Sequence, residues 1–505
     1  MLRSPLIISI CFLHSILISA MCRADVRLHP LIAEGMVLQR DREAPVWGTA
    51  DPGETVVVDF RGQQFSGVAD QHFGRWMVRV KSGAAGGPFP LSIRGKNVIS
   101  LKDVRVGEVW LCSGQSNMTA PLAPRPGSKA LEGTENPDIR LFTVPARLSD
   151  TPQLDLKEAN WEACGPKSVG RFSAVAYYFG RDIQKRLHVP VGLIHASYGG
   201  STAASWMNPA ALAAPAFDDL RRRGVKPVLY NGMIAPLVPF GIRGVIWYQG
   251  EADTGNAAAY QATFPALIKG WRAEWASANS VAPDHRDFPF LFVQIAPYGP
   301  IVKEPQESCW AELREVQRLT ETTVPNTAMV VSTDCGHEMN IHPQPKQPIG
   351  ERLALAARAV VYGEQVTASG PKYDGMDIKD AAVLLRFRSV GAGLEARPMA
   401  LENITTDTRT GKTGGALHVR KDAGPGDVPL TGFTIAGKDH VFVNAEAEIH
   451  GDTIKVWSAA TPAPVAVRYG WADYPTGNLY NRDGLPASPF RTDDFPVHGV
   501  PRQRE

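Results

Sequence analysis

The first residue that could do chemistry is Ser116, in the segment Cys112-Ser-Gly-Gln-Ser-Asn-Met118, directly after a predicted buried strand over Val109–Cys112. A nucleophilic serine needs exposure at a strand end, a neighbouring base, and amide donors for the oxyanion that forms during acyl transfer. Gly114 permits the tight turn that would place Ser116 at its tip. Because Gly-x-Ser tripeptides are common, a serine that caps a helix is the alternative interpretation of this motif alone.

Two further motifs follow later strands and offer groups that could stabilise an oxyanion. In Ser197-Tyr-Gly-Gly-Ser201, paired glycines let the backbone approach a ligand closely, and the N–H of Gly200 could donate to it. In Trp247-Tyr-Gln-Gly-Glu-Ala-Asp253, the side-chain amide of Gln249 could do the same, and the carboxylate of Glu251 lies beside it. The alternatives are an ordinary strand-to-helix turn and loop residues that satisfy backbone groups.

A fourth motif, Asp334-Cys-Gly-His-Glu-Met-Asn-Ile-His-Pro343, offers a general base. Imidazole suits this role at neutral pH because its unperturbed pKa lies near ~6.5. The motif contains two histidines, His337 and His342, and two carboxylates, Asp334 and Glu338. A metal site is the rival interpretation, but the sequence lacks the paired short spacing of ligands that a zinc site uses. We therefore expect no metal and no cofactor.

The elements that must position these motifs lie between residues 106 and 365. Here short apolar runs alternate with longer segments of helical spacing, which predicts an α/β unit with a parallel sheet. The predicted strands after Val109–Cys112 are Val191–Ala196, Gly244–Tyr248, Phe290–Ile295 and Ala328–Ser332, and the helices are Ala174–Leu187 and Pro348–Tyr362. Ligands bind beyond the carboxyl ends of the strands in such sheets, which is where the four motifs lie.

Both flanks of this unit have the pattern of short β-strands. Residues 25–105 alternate apolar and polar positions between Gly and Pro, which predicts a small N-terminal β-sandwich module. Residues 366–505 return to short strands, such as Ala382–Phe387, His440–Asn444 and Thr453–Trp457, and are predicted to form a C-terminal β module.

The N-terminus predicts export. Arg3 precedes an apolar run, Leu6–Ala20, that is too short to span a membrane, and residues 1–24 read as a signal peptide cleaved after Ala24. The mature protein would then be periplasmic or extracellular, where cysteines can form disulfides, although the pairing cannot be read from the sequence. The net charge of +2 gives no argument for binding nucleic acid or a membrane surface.

Taken together, the four motifs resemble those of the SGNH hydrolases and, within them, the sialate O-acetylesterase family. Ser116, Gly200, Gln249-Gly-Glu251 and His342 match the serine, glycine, third and histidine blocks of that family in order. Longer matching stretches are Phe172–Gly180, Leu229–Pro236, Ala311–Arg314, Val467–Asp473 and Asn478–Asn481. The resemblance implies an SGNH three-layer parallel sheet, flanked here by the N-terminal and C-terminal β-sandwich-like modules.

The chain departs from the family pattern near the histidine. Where members commonly place Asp two residues before the catalytic histidine, this chain has Asn340, and Met339 occupies the position where other SGNH enzymes carry Asp. Asp334 or Glu338 could orient His342 instead, and we favour Asp334, acting directly or by bracing the loop. A Ser–His pair supported by a backbone carbonyl is the alternative. Ala204 and Asp253 also differ from the usual Glu and Asn.

The resemblance implies a serine esterase that removes O-acetyl groups from a carbohydrate. His342 would take the proton from Ser116, and the amides of Ser116 and Gly200 and the side chain of Gln249 would stabilise the oxyanion. Acetylated sialic acid is the expected substrate, and acetylated xylan or xyloglucan is the alternative. A non-catalytic carbohydrate-binding protein that kept the fold is the alternative from another class.

We predict that His342, not His337, is the base, because His342 lies in the Ile-His-Pro context of the family. His342→Ala should abolish release of acetate from a chromogenic acetyl ester, whereas His337→Ala should retain activity if it folds. An inactive His337→Ala together with an active His342→Ala would reverse the assignment.

Overall fold

The computed structural model of the protein describes residues 25–123, 128–279, 287–398, 400–403, 416–419 and 428–496. The predicted signal peptide, residues 1–24, lies outside the described residues. Within the part of the chain that is described, no helix has the length and apolar character needed to cross a membrane.

The N-terminal module is built from short strands with alternating burial. Its strands are β1 (Arg27–Leu28), β2 (Val37–Gln39), β3 (Glu43–Thr49), β4 (Thr55–Phe60), β5 (Gln63–Val68), β6 (Arg75–Lys81), β7 (Gly86–Arg94) and β8 (Val98–Gly114). One sheet has the order β1-β3-β6, and the other contains β4, β5, β7, β2 and the first half of β8. Every second residue of β6 is buried, namely Trp76, Val78 and Val80, because successive side chains of a strand point to opposite faces.

The central sheet has the order β10-β9-β11-β8-β12-β13-β14. Its further strands are β9 (Asn136–Thr143), β10 (Trp161–Cys164), β11 (Val191–Ser197), β12 (Gly244–Tyr248), β13 (Phe290–Val293) and β14 (Thr327–Val330). The pairs from β9 to β14 are parallel, as predicted. The sheet as a whole is mixed, because β10 runs antiparallel to β9 and β7 runs antiparallel to β8.

Helices pack against this sheet and form two separate apolar cores with it. They are α1 (Ser116–Thr119), α2 (Pro166–Val169), α3 (Ala174–Leu187), α4 (Pro209–Leu212), α5 (Asp218–Arg222), α6 (Ala257–Asn279), α7 (Cys309–Thr323) and α8 (Gln347–Val360). Trp110 of β8 belongs to the apolar cluster that contains α3 and α8, whereas its neighbours Val109 and Leu111 belong to the cluster that contains α6 and α7.

Strand β8 connects the N-terminal module to the central sheet without a break. Its first half pairs with β7, and its second half lies between β11 and β12. Glu108, at the junction, is fully buried and accepts hydrogen bonds from Arg40 Nε at 2.5 Å and Arg243 Nε at 2.7 Å. The predicted boundary between residues 105 and 106 therefore falls inside one strand, although it separates two different sets of strand partners.

The C-terminal module is again made of short antiparallel strands. They are β15 (Lys372–Lys379), β16 (Ala382–Arg388), β17 (Leu394–Ala396), β18 (Ala400–Asn403), β19 (Ala416–Val419), β20 (Phe433–Ala436), β21 (Phe442–Asn444), β22 (Glu446–His450), β23 (Thr453–Trp457), β24 (Ala466–Tyr469), β25 (Leu479–Asn481) and β26 (Phe490–Arg491). The two larger sheets have the orders β15-β16-β23-β22 and β21-β20-β24-β26, and residues of both contribute to one apolar core.

Arg314 of α7 fixes this module to the central unit. Its side chain is fully buried, and the guanidinium donates to the carbonyl of Ile295 at 2.9 Å, of Ala472 at 2.8 Å and of Asp473 at 2.9 Å. Burial lowers the pKa of Arg314 to about 10. The charge is thus held by carbonyls from both parts of the chain, so separating them would remove two of its three acceptors.

The four described cysteines, Cys112, Cys164, Cys309 and Cys335, are buried, and none of them is in a disulfide. Burial raises the pKa of the Cys164 thiol to about 12, which keeps it protonated. These thiols therefore behave as small apolar core residues, and the disulfides considered from the sequence are not formed among the residues that the structure describes.

Candidate active site

Ser116 lies at the carboxyl end of β8, the strand where the order of the parallel sheet reverses. It begins α1 and is partly exposed. The preceding Gly114 has φ +139°, and a Cβ there would lie 2.1 Å from the carbonyl oxygen of Tyr248 in β12. Only glycine fits this turn, because the chain passes so close to its neighbour. The local sequence thus presents Ser116 at the switch point, where open α/β sheets bind ligands.

The glycine turn after β11 lies beside Ser116. A Cβ built on Gly199 would be 3.6 Å from the Cβ of Ser116, so the two loops are adjacent. Gly200 is exposed, has φ +69° and has open space around its α-carbon. Among the described residues, neither the N–H of Gly200 nor that of Ser116 donates a hydrogen bond. Two backbone donors are therefore available next to the serine hydroxyl.

The side-chain amide of Gln249 has other partners than the sequence suggested. It is fully buried, and its side-chain amide donates to the carbonyl of Ser201 at 3.1 Å and to Oδ2 of Asp253 at 2.6 Å. Burial raises the pKa of Asp253 to about 6. Since both N–H groups of Gln249 are used to hold neighbouring loops, this amide does not present a free donor to an oxyanion. Its predicted oxyanion contact would require one of these bonds to break.

Asn117 joins the serine turn to the histidine loop. Its Nδ2 donates to Oε1 of Glu251 at 2.5 Å and to the carbonyl of Ile341 at 3.0 Å. Its Oδ1 accepts from Nζ of Lys346 at 2.6 Å. Asn117 directly follows Ser116 in sequence and binds the residue that precedes His342, so one amide connects the Ser116 turn to the His342 loop. The sequence alone did not indicate these roles: Asn117 lies inside the serine motif, and Lys346 lies three residues beyond the end of the histidine motif.

The charges around Asn117 are buried and opposite. Burial raises the pKa of Glu251 and lowers that of Lys346 to about 8. Oε2 of Glu251 is buried and has no hydrogen-bond partner among the described residues. The amide of Asn117 lies between the Glu251 carboxylate and the Lys346 ammonium and hydrogen-bonds to both. Loss of Asn117 would therefore leave both buried groups without this partner. Glu251 is thus assigned to this network by its contacts.

His342 lies in the loop between β14 and α8. Its backbone N–H donates to Oδ1 of Asn340 at 2.9 Å, a local turn in which Asn340 shapes the loop. His337 is buried, and its Nδ1 accepts from the N–H of Met339 at 3.0 Å. Oε1 of Glu338 accepts from the N–H of Ile301 at 2.9 Å.

Asp334 is held by Arg352 of α8. The Arg352 guanidinium donates to Oδ1 at 2.7 Å and to Oδ2 at 2.6 Å, and both side chains are buried. Burial alone would raise the pKa of Asp334, but the charge of Arg352 and its two hydrogen bonds hold this pKa below its usual value. Arg352 also donates to the carbonyl of Val331. These contacts favour a role for Asp334 in bracing the loop that carries His342.

We predict that Asp334→Asn lowers stability more than turnover. Removing one partner of a buried ion pair typically costs about 3–5 kcal/mol, because the other charge stays buried. Urea unfolding should detect this loss, whereas hydrolysis of a chromogenic acetyl ester by the folded fraction should stay within about tenfold of wild type, under ~1.4 kcal/mol. Glu338→Gln is the matched control. A loss of about 10⁴-fold in the folded Asp334 variant would instead indicate a direct triad acid.

Comparisons with known proteins agree with this arrangement. Residues 106–359 match the family model described as carbohydrate esterase, sialic acid-specific acetylesterase. The sialate O-acetylesterase of Homo sapiens is 32% identical over 387 residues, covering 68% of this chain and 73% of the relative. That of Mus musculus is 33% identical over 402 residues, covering 66% and 74%.

A solved structure extends the similarity over most of the chain. The crystal structure of a carbohydrate acetylesterase from Xanthomonas citri has a TM-score of 0.81 and 38% sequence identity, and the match covers 93% of this chain and 100% of that chain. The α/β unit and its β modules are therefore shared with a known esterase. The chain belongs to the sialic acid-specific acetylesterase family of carbohydrate esterases, and it is a serine ester hydrolase that resembles the sialate O-acetylesterases.

Proposed function

We propose that the protein hydrolyses O-acetyl esters of a carbohydrate with Ser116 as nucleophile and His342 as general base. The observation that carries this proposal is the pair of unused backbone donors beside Ser116. The N–H groups of Ser116 and Gly200 donate to no described residue, and the Gly199–Gly200 turn lies against the serine. A serine with free amides at a strand end is equipped for acyl transfer.

The proposed reaction has two halves. His342 takes the proton of the Ser116 hydroxyl while the oxygen attacks the acetyl carbonyl, and the oxyanion accepts from the two backbone amides. The bond to the sugar oxygen then breaks, and His342 returns the proton to that oxygen. A water molecule, deprotonated by the same histidine, attacks the acetyl-serine. The bond between the acetyl carbon and Oγ of Ser116 then breaks, His342 returns the proton to Oγ, and acetate is released. These steps need only the side chains, the backbone amides and water.

Other side chains support this reaction from a distance in our proposal. Asn117 keeps Ser116 and the loop of His342 in register, and Asp334 braces that loop through Arg352. Gln249 orders the loops that carry Ser201 and Asp253. The three-layer arrangement of SGNH hydrolases is also part of the proposal, supported by the alternation of β8 side chains between the α3/α8 and α6/α7 cores.

Acetylated sialic acid is the first candidate substrate, since the curated relatives are named sialate O-acetylesterases. Acetylated xylan or xyloglucan remains the alternative from the sequence. Export through residues 1–24 is part of the same proposal, with the enzyme acting in the periplasm or outside the cell. A screen of acetate release from acetylated sialic acids and acetylated xylo-oligosaccharides distinguishes the two substrate classes.

The test of the nucleophile is Ser116→Ala. We expect loss of about 10⁴-fold or more in turnover with unchanged thermal unfolding, because the hydroxyl is partly exposed and packs little. Acetate release and a melting curve of the same preparation are the measurements. Near-normal turnover would contradict the proposal, and wild-type protein that binds acetylated sugar without releasing acetate would favour the carbohydrate-binding alternative.

Asn117→Ala tests the link between nucleophile and base. It leaves the buried groups of Lys346, Glu251 and Ile341 without a partner, so we expect turnover to fall about 10²-fold, as small misplacements in active sites do. The matched control is Asn481→Ala, which removes an equally buried and bonded amide from the C-terminal module. Equal losses of turnover per folded molecule in both variants would mean that Asn117 acts only through stability.

A further inference from the structure

A cavity of about 510 Å³ opens beside His342, and no residue of the glycine turn lines it. Its wall includes His342 itself and residues of α3 and α8, whereas neither Ser116 nor Gly200 lines it. This volume lies within the range of small-molecule sites. The cavity is thus a space next to the base that the proposed acyl-transfer steps do not use.

The chemistry of the proposed reaction indicates which part of an ester substrate would occupy this cavity. His342 must return a proton to the sugar oxygen that leaves, so that oxygen has to come within hydrogen-bond reach of its imidazole. The acetyl group, in contrast, lies toward the amides of Ser116 and Gly200. The sugar therefore extends from His342, away from the acetyl side, and the cavity opens from His342.

Two polar atoms in the wall are free to bind hydroxyl groups. The hydroxyl of Tyr178 has no hydrogen-bond partner in the described ranges, and burial raises its pKa, so it stays protonated as a donor. Glu351 uses Oε1 to accept from Arg181 at 3.0 Å and from Gln347 at 2.7 Å, while Oε2 accepts from none of the described residues. A phenol and a carboxylate oxygen together match the donor and acceptor character of sugar hydroxyls.

The shape of the wall is set before any ligand arrives. Pro343, Pro345 and Pro348 line the cavity within six residues, and each fixes its own backbone φ angle. The half-buried ring of Tyr178 adds an apolar surface that ends in a polar group. A preformed site loses less conformational entropy on binding than a flexible one.

We propose that this cavity is a subsite for the sugar residues of the leaving alcohol, with Tyr178 and Glu351 as specificity-determining residues. The inference rests on the proposed function, since it uses His342 as the group that protonates the leaving oxygen. The ligand is recognised by its ring hydroxyls, which acetylated sialic acids and acetylated neutral oligosaccharides share.

The experiment compares kcat/KM on 4-nitrophenyl acetate, whose leaving group carries no sugar, with kcat/KM on an acetylated xylo-oligosaccharide and on an O-acetylated sialic acid. Tyr178→Phe and Glu351→Gln should each lower kcat/KM at least fivefold on one of the two sugars and leave 4-nitrophenyl acetate within twofold of wild type. The sugar that is affected identifies the source of the ligand. Glu364→Gln is the matched control, because Glu364 pairs with Arg186 of α3 on the surface outside the cavity.

An equal loss on 4-nitrophenyl acetate and on the sugars would overturn the subsite, since it would reveal a general effect on the enzyme. Unchanged kcat/KM on both sugars in both variants would overturn it as well. Failure of the proposed function has a different signature, because wild-type protein would then release no acetate from any of the three esters.

Discussion

The buried carboxylate of Glu108 lies where β8 leaves the N-terminal sandwich and enters the central sheet. Arg40 comes from the first of these parts and Arg243 from the second, and both donate to this one carboxylate. A buried charge is tolerated only when it is paired and hydrogen-bonded, so the three side chains fix how the two parts meet. Ser116 lies eight residues further along the chain, two residues past the end of β8. The position of Ser116 is therefore fixed by the second half of β8, which pairs with β11 on one side and with β12 on the other.

Around this strand, the site is assembled by loops that converge from distant parts of the sequence. The turn after β8, the turn after β11 and the loop after β12 meet because their strands are neighbours in a parallel sheet. The histidine loop comes from the far side, after β14, and no strand pairing brings it to Ser116. Hydrogen bonds replace that pairing: Asn117 binds the Ile341 carbonyl and Lys346, and Arg352 binds Asp334. The loop is thus held at both of its ends by polar contacts with buried groups.

The sequence predicted the parallel strands of the central sheet and the exposed serine and glycine turns, because each depends on local patterns. The apolar runs that lead into the turns at Gly114 and Gly200 can be recognised from a few neighbouring residues. The mixed character of the sheet was missed, since the direction of β10 depends on its pairing and not on its composition. The partners of Gln249 and Asn117 were missed for the same reason. Their contacts join residues up to 229 positions apart, and a single sequence does not say which buried polar groups satisfy one another.

The C-terminal β module is joined to the central unit through the contacts of Arg314. A module that evolution can exchange freely meets its neighbour through a surface that is wettable when the two are apart. Here α7 of the central unit places a buried guanidinium at the junction, and two of its three carbonyl acceptors come from the loop at Ala472 and Asp473. Exchange of either part alone would therefore remove carbonyl acceptors that the buried Arg314 uses, so the two parts depend on each other at this contact.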